Sequence, residues 1–175
     1  MRLRAGLAAL LLLPTAALAA PPGEDPYRWR LSVKGVKAHL FAAEDAATDF
    51  TGALSFRCQQ GEGKIEVGVT VDSTEEKAFA RIIADDVYPA VKFRGAPGDT
   101  SSALIERITF GELGGWEFHF TLAEDAAAMD AFEKTGALAL SVGTVYATEF
   151  TLQAGLDAIT AFRRHCWNEP VSLRR

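Results

Sequence analysis

The chain has 175 residues, 49% of them hydrophobic and 10% aromatic, with 18 Lys plus Arg against 23 Asp plus Glu and only two cysteines. That size and composition suit one compact domain and exclude a disordered, collagenous or multidomain protein. A formal net charge of −5 argues against a broad nucleic-acid-binding surface.

Residues 1–19 read as a secretory signal peptide. Met1, Arg2 and Arg4 supply the positive start, an apolar run follows from Ala5 to Leu13, Pro14 breaks it, and Ala17-Leu18-Ala19 fits the small-x-small cleavage rule. The apolar stretch falls short of the roughly 20 residues a bilayer needs, so no membrane span is expected. The product is expected to be periplasmic or secreted. A proline-rich leader, 20–26, is expected to be flexible; a single disulfide-bonded domain then covers 27–170, with a tail over 171–175.

Trp29, Leu31 and Val33 alternate, which predicts a strand over 27–33, and a second is expected over 36–43 before a turn at 45–49. The runs 52–58 and 64–71 flank Gln59-Gln60-Gly61-Glu62-Gly63 and predict a hairpin, with Ile65, Val67, Val69 and Val71 on one face. Residues 75–83 fit either a helical turn or an edge strand. Pro89 demotes 87–93 to an edge strand or bulge, because proline cannot donate to a ladder. A loop is expected over 95–102 and a strand over 104–110. Trp116, Phe118, Phe120 and Leu122 alternate with Glu117, His119 and Thr121, as in a half-buried antiparallel strand. Thr121 is expected to cap a helix with Glu124 and Asp125 in its first turn, an apolar stripe of Ala126, Met129 and Phe132, and an end at Lys134 and Gly136. Strands over 137–142 and 144–152 turn at Gly143, and a final helix spans 155–166.

The two cysteines fall on inward faces. Leu54, Phe56 and Cys58 share one side of a strand, while Leu156, Ile159, Phe162 and Cys166 fall within an arc of about 120° at roughly 100° per residue on the last helix. In an oxidising compartment an even, minimal count reads as one disulfide, Cys58 to Cys166, stapling the final helix to a central strand. Arg163, at the edge of that arc, is expected to lay its stem on the sheet and reach water with its head. Strands first and helices late predict a mainly β fold: an antiparallel sheet or sandwich with one short helix and a C-terminal helix packed on it.

Chemistry is harder to find. Gly61-Glu62-Gly63-Lys64 lacks the upstream glycine, the following Ser or Thr and the helix of a phosphate loop, and reads as a hairpin turn. His165 adjoins Cys166, but neighbouring helical residues diverge and no further ligand is spaced nearby, so no metal and no cofactor are expected. His39 and His119 are placed on solvated strand faces, and His165 near a helix C-terminus where a cation is favoured. Asp85 with Asp86, and Glu44 with Asp45 and Asp49, read as loop charge. The stretch 85–102 carries Tyr88, Lys92, Phe93 and Arg94 among glycine and proline, a composition suited to a partner-binding surface.

The layout then resembles a known group. An early Trp29, a strand ending in Phe56-Arg57-Cys58, the strand from Trp116 to Leu122 leading into a helix, and the ending Phe150-Thr151-Leu152 through Gly155-Leu156-Asp157-Ala158-Ile159 to Cys166-Trp167 resemble the small periplasmic proteins associated with type VI secretion (VasI-like). More loosely, they are similar to the invasion-associated locus B family. The stretch 91–109 matches least. The resemblance implies an envelope accessory protein with no catalytic residues. The expected function is therefore a non-enzymatic periplasmic accessory or binding module with an envelope protein partner. The alternatives are an inhibitor or immunity protein for a secreted effector, or a small envelope hydrolase or ligand binder using Asp85, Asp86 or His119.

Overall fold

A computed structural model describes residues 27–44, 54–71, 76–84, 90–96, 99–110, 115–144 and 146–167. The expected signal peptide, leader, 45–49 turn and tail, together with Asp85, Asp86, Tyr88 and Pro89, lie outside the described residues.

Four strands open the domain: β1 (Tyr27–Lys34), β2 (Lys37–Glu44), β3 (Leu54–Gln59) and β4 (Lys64–Val71). Then come α1 (Glu76–Ala84), β5 (Ala90–Ala96), β6 (Asp99–Phe110), β7 (Trp116–Ala123), α2 (Ala127–Thr135), β8 (Ala137–Val142), β9 (Tyr146–Thr151) and α3 (Leu156–Trp167). The strands form one curled antiparallel sheet in the order β1-β2-β3-β4-β7-β6-β5-β8-β9, so the fold is the expected antiparallel sheet with a C-terminal helix on it. The ambiguous 75–83 stretch is helical, with Phe79 and Ile82 buried on one side of α1.

Period-two alternation divides the sheet into two faces. Leu40, Phe56, Val67, Phe120, Val91, Phe93 and Leu140 point to the core face and are buried. Against that face α2 packs on β5, β6 and β8, and α3 on β1 and β2. The aromatic rings interlock there: Phe132 of α2 lies 5.0 Å from Phe56 and 5.1 Å from Trp29, while Phe79 of α1 stacks 5.3 Å from Phe118. Offset or edge-on ring pairs of this kind add to simple area burial.

The disulfide forms as expected. Cys58 closes β3 and Cys166 lies in the last turn of α3, with Cα atoms 5.8 Å apart. Its loop spans 108 residues. Closing a loop of that size removes about 4 to 5 kcal/mol of unfolded-chain entropy in the chain-entropy account.

Four expectations need correction. β5 is no edge strand: it begins after Pro89, so no ladder N–H is missing, and it pairs with β6 on one side and β8 on the other. The stretch 95–102 is mostly strand, since Ala96 pairs with Asp99 and β6 already runs from there. Thr121 caps no helix; it pairs with Glu66 in the β4–β7 ladder, and α2 starts later behind Ala126, whose side chain makes no cap. Arg163 does not end in water. Its guanidinium meets Glu133 at 2.6 Å and Asp130 at 2.7 Å, which ties α3 to α2.

The curl brings the two ends of the sheet together. The segment after β9 returns to β1: the Trp29 indole donates to the Leu152 carbonyl at 3.0 Å, and the Trp29 backbone N–H donates to Ala154 at 3.0 Å. Gly155 permits this approach. It sits at φ 82°, in the left-handed region, and a Cβ there would fall 2.5 Å from the Trp29 carbonyl oxygen.

Candidate functional site

With the helices on the core face, the outer face of the sheet is left to polar side chains. Over β5, β8 and β9 that face is floored by small residues, Ala139, Ser141 and Ala147, because the large residues of the same strands (Val91, Phe93, Leu138, Leu140, Val142) all point to the core. Small side chains below and long ones around leave a cleft of about 620 Å³, rimmed by Lys92, Arg94 and Glu149.

Two of the four residues singled out for partner binding therefore meet at this cleft. Lys92 and Arg94 are exposed on the outer face of β5, with Ser102 directly across from Lys92 on β6. Phe93 does not join them: alternation turns its ring inward, where it is fully buried against Phe56 and Phe120. Tyr88 lies outside the described residues. Beside the cleft stands Leu104, 67% exposed, two residues along β6 from Ser102 and thus on the same face. Read alone, its run suggested only a strand; the alternation within that strand could have marked it.

His119 is the second polar feature, and it is not solvated as expected. It is only 8% exposed on the outer face of β7. The reason stands opposite it: Gly68 pairs with His119, and a Cβ at Gly68 would meet the imidazole at 3.4 Å and the Ser55 hydroxyl at 3.0 Å. The missing side chain makes the slot the ring fills. Around it, Glu66 lies 3.3 Å from Nδ1, Glu117 lies 3.7 Å from Nε2, and Arg107 meets Glu66 at 3.3 Å. Burial, and then the Arg107 charge, hold the imidazole below its ordinary range, so it is neutral at pH 7 in spite of the two carboxylates. A neutral ring packed beneath an ion pair positions Glu66 and Arg107 and offers little surface of its own.

His39 is also held neutral. It faces Arg57 across the β2–β3 ladder, and burial followed by that charge lowers its pKa from 6.5 to about 4. His165 sits in the last turn of α3. Among the described residues no group of three or more His, Cys, Asp or Glu side chains is placed to hold a metal ion. No helix among them is long and apolar enough to cross a membrane.

No protein-family model, curated protein or solved structure matches the chain.

Proposed function

We propose that the chain is an exported, non-enzymatic binding module that docks an envelope protein partner on the outer face of its sheet, at the cleft of Lys92 and Arg94. One observation carries this: two exposed cations border a small-floored cleft on the face that the helices leave open, and exposed Leu104 lies on that same face. Arginine is enriched where proteins meet, and Leu104 adds exposed apolar area on the same face. A buried disulfide supports an oxidising location outside the cytoplasm. The signal-peptide pattern of 1–19 and the similarity to VasI-like periplasmic proteins support the same assignment.

The test is site-directed cross-linking in the native envelope. A photo-reactive side chain in place of Ala139, on the cleft floor, is expected to trap one discrete protein, and Arg94→Glu is expected to abolish the adduct. The same probe at Lys134, exposed on α2, is expected to trap none. Adducts of equal yield at both positions, or only with a second copy of the chain, would count against the assignment.

A further inference from the structure

A second cleft lies where two hairpins and the end of α3 meet. Gln60 of the β3–β4 turn donates to the Val36 carbonyl in the β1–β2 turn at 2.8 Å, and Gly61 donates to the Cys166 carbonyl at 2.9 Å. Beside these bonds the outer face opens into a cleft of about 520 Å³, lined by Lys34, Lys37, Arg57 and Lys64 with two carboxylates, Glu62 and Glu66.

The charge here runs against that of the chain as a whole. Four fixed cations face two carboxylates in a protein of net charge −5, and Glu66 is already engaged by Arg107. Among the described residues none of the four cations makes an ion pair. Lys34 and Lys37 are direct cross-strand partners, an arrangement that costs stability when the charges are alike. In the turn that joins those two lysines, Val36 is 43% exposed. An excess of cations over carboxylates in one recess, with an exposed valine at its turn, is explained by an occupant that brings anions and a small apolar contact.

We propose that this cleft binds an acidic segment of a protein partner, carboxylates entering among Lys34, Lys37, Arg57 and Lys64 while an apolar residue covers Val36. The proposal deepens the binding-module assignment and rests on it, adding a second contact of defined chemistry away from Lys92 and Arg94. A recess fits carboxylates carried on a chain better than a flat lipid surface, because Arg57 rises from β3, an interior strand of the sheet.

The experiment is fluorescence anisotropy of a labelled oligoglutamate peptide carrying one tryptophan, titrated with the oxidised full chain. Saturable binding that weakens with added salt is expected. Lys37→Glu combined with Lys64→Glu is expected to lower affinity at least about tenfold. Lys37→Glu also replaces a repelling cross-strand pair with an attracting one, so thermal stability is expected to hold or rise while binding falls; a merely structural role for these lysines predicts the opposite. Lys134→Glu is expected to leave binding unchanged. Equal affinity in the wild type and the double variant overturns the proposal, as does failure of the peptide to bind. Capture by phosphatidylglycerol vesicles in its place also overturns it and assigns the cleft to a lipid surface. If Ala139 traps a partner while the double variant binds peptide normally, this inference falls and the broader assignment stands.

Discussion

His39 is half-buried and faces Arg57 across the sheet, and its burial, then that charge, sets a pH dependence for the whole fold. The unfolded imidazole takes its proton near 6.5, whereas the native one waits until about 4. Between those values the unfolded chain binds more protons, so stability falls as pH drops from about 6.5 to about 4. His119 acts in the same direction, its pKa lowered first by burial and then by Arg107. Replacing His39 by Gln removes one titrating group; urea midpoints across that window are expected to fall less steeply with acid than in the wild type. A slope equal to that of the wild type would show that His39 is not held neutral. Little of this was legible in the sequence. His39 and His119 alternate outward with polar neighbours, which correctly marks the face, but their burial depends on the residues opposite them. Gly68 is on another hairpin, and no local pattern ties it to the ring it accommodates.

Between elements, the telling contact is Arg163. It leaves α3 and bridges Asp130 and Glu133 of α2, and it also donates to the Glu124 carbonyl at 3.5 Å. Glu124 is buried beside it with one carboxylate oxygen lacking a partner. Burial raises the Glu124 pKa, and the Arg163 charge offsets part of that rise. Arg163→Met keeps much of the packing and deletes the cation. A loss of about 1 to 2 kcal/mol at neutral pH is expected, since the pair is partly shielded from water. Chemical denaturation is expected to show a smaller loss at acid pH, where Glu124 is protonated and no longer needs the positive neighbour. The helix containing Arg163 was read correctly from its apolar stripe, and so was the Gly136 end of α2. The start of α2 was misjudged because the strand before it runs to Ala123, held by pairing with β4 that a helix-capping rule does not consider. For the same reason the run 87–93 reads in the sequence as an edge strand or a bulge. A proline in front of a strand and a proline within it look alike until the neighbouring strands are known.

At the level of the molecule, the sheet is held in its curl by two long-range ties, the disulfide and the junction of Trp29 with residues 152–155. Cysteine phase made the first legible, because both sulfurs lie on apolar faces of well-marked elements. The second was not, since it depends on how far a nine-stranded sheet bends. Gly155→Ala probes it directly. A side chain there must both tolerate a left-handed backbone and displace the Trp29 carbonyl, so a loss of at least about 2 kcal/mol is expected. The midpoint of urea unfolding measures it, and an unchanged midpoint would mean that the junction carries no weight. The two outer-face clefts share this dependence on global geometry. Lys37, Arg57 and Lys64 come from three different strands, and only their register brings them together.

The junction at Trp29 also limits how copies of this protein can polymerise. A sheet propagates into a fibre only when both of its margins accept a new strand, and here Ala154 already occupies part of the β1 margin. Growth through β9 alone stops at a pair of molecules, so the curl protects the protein from runaway self-assembly.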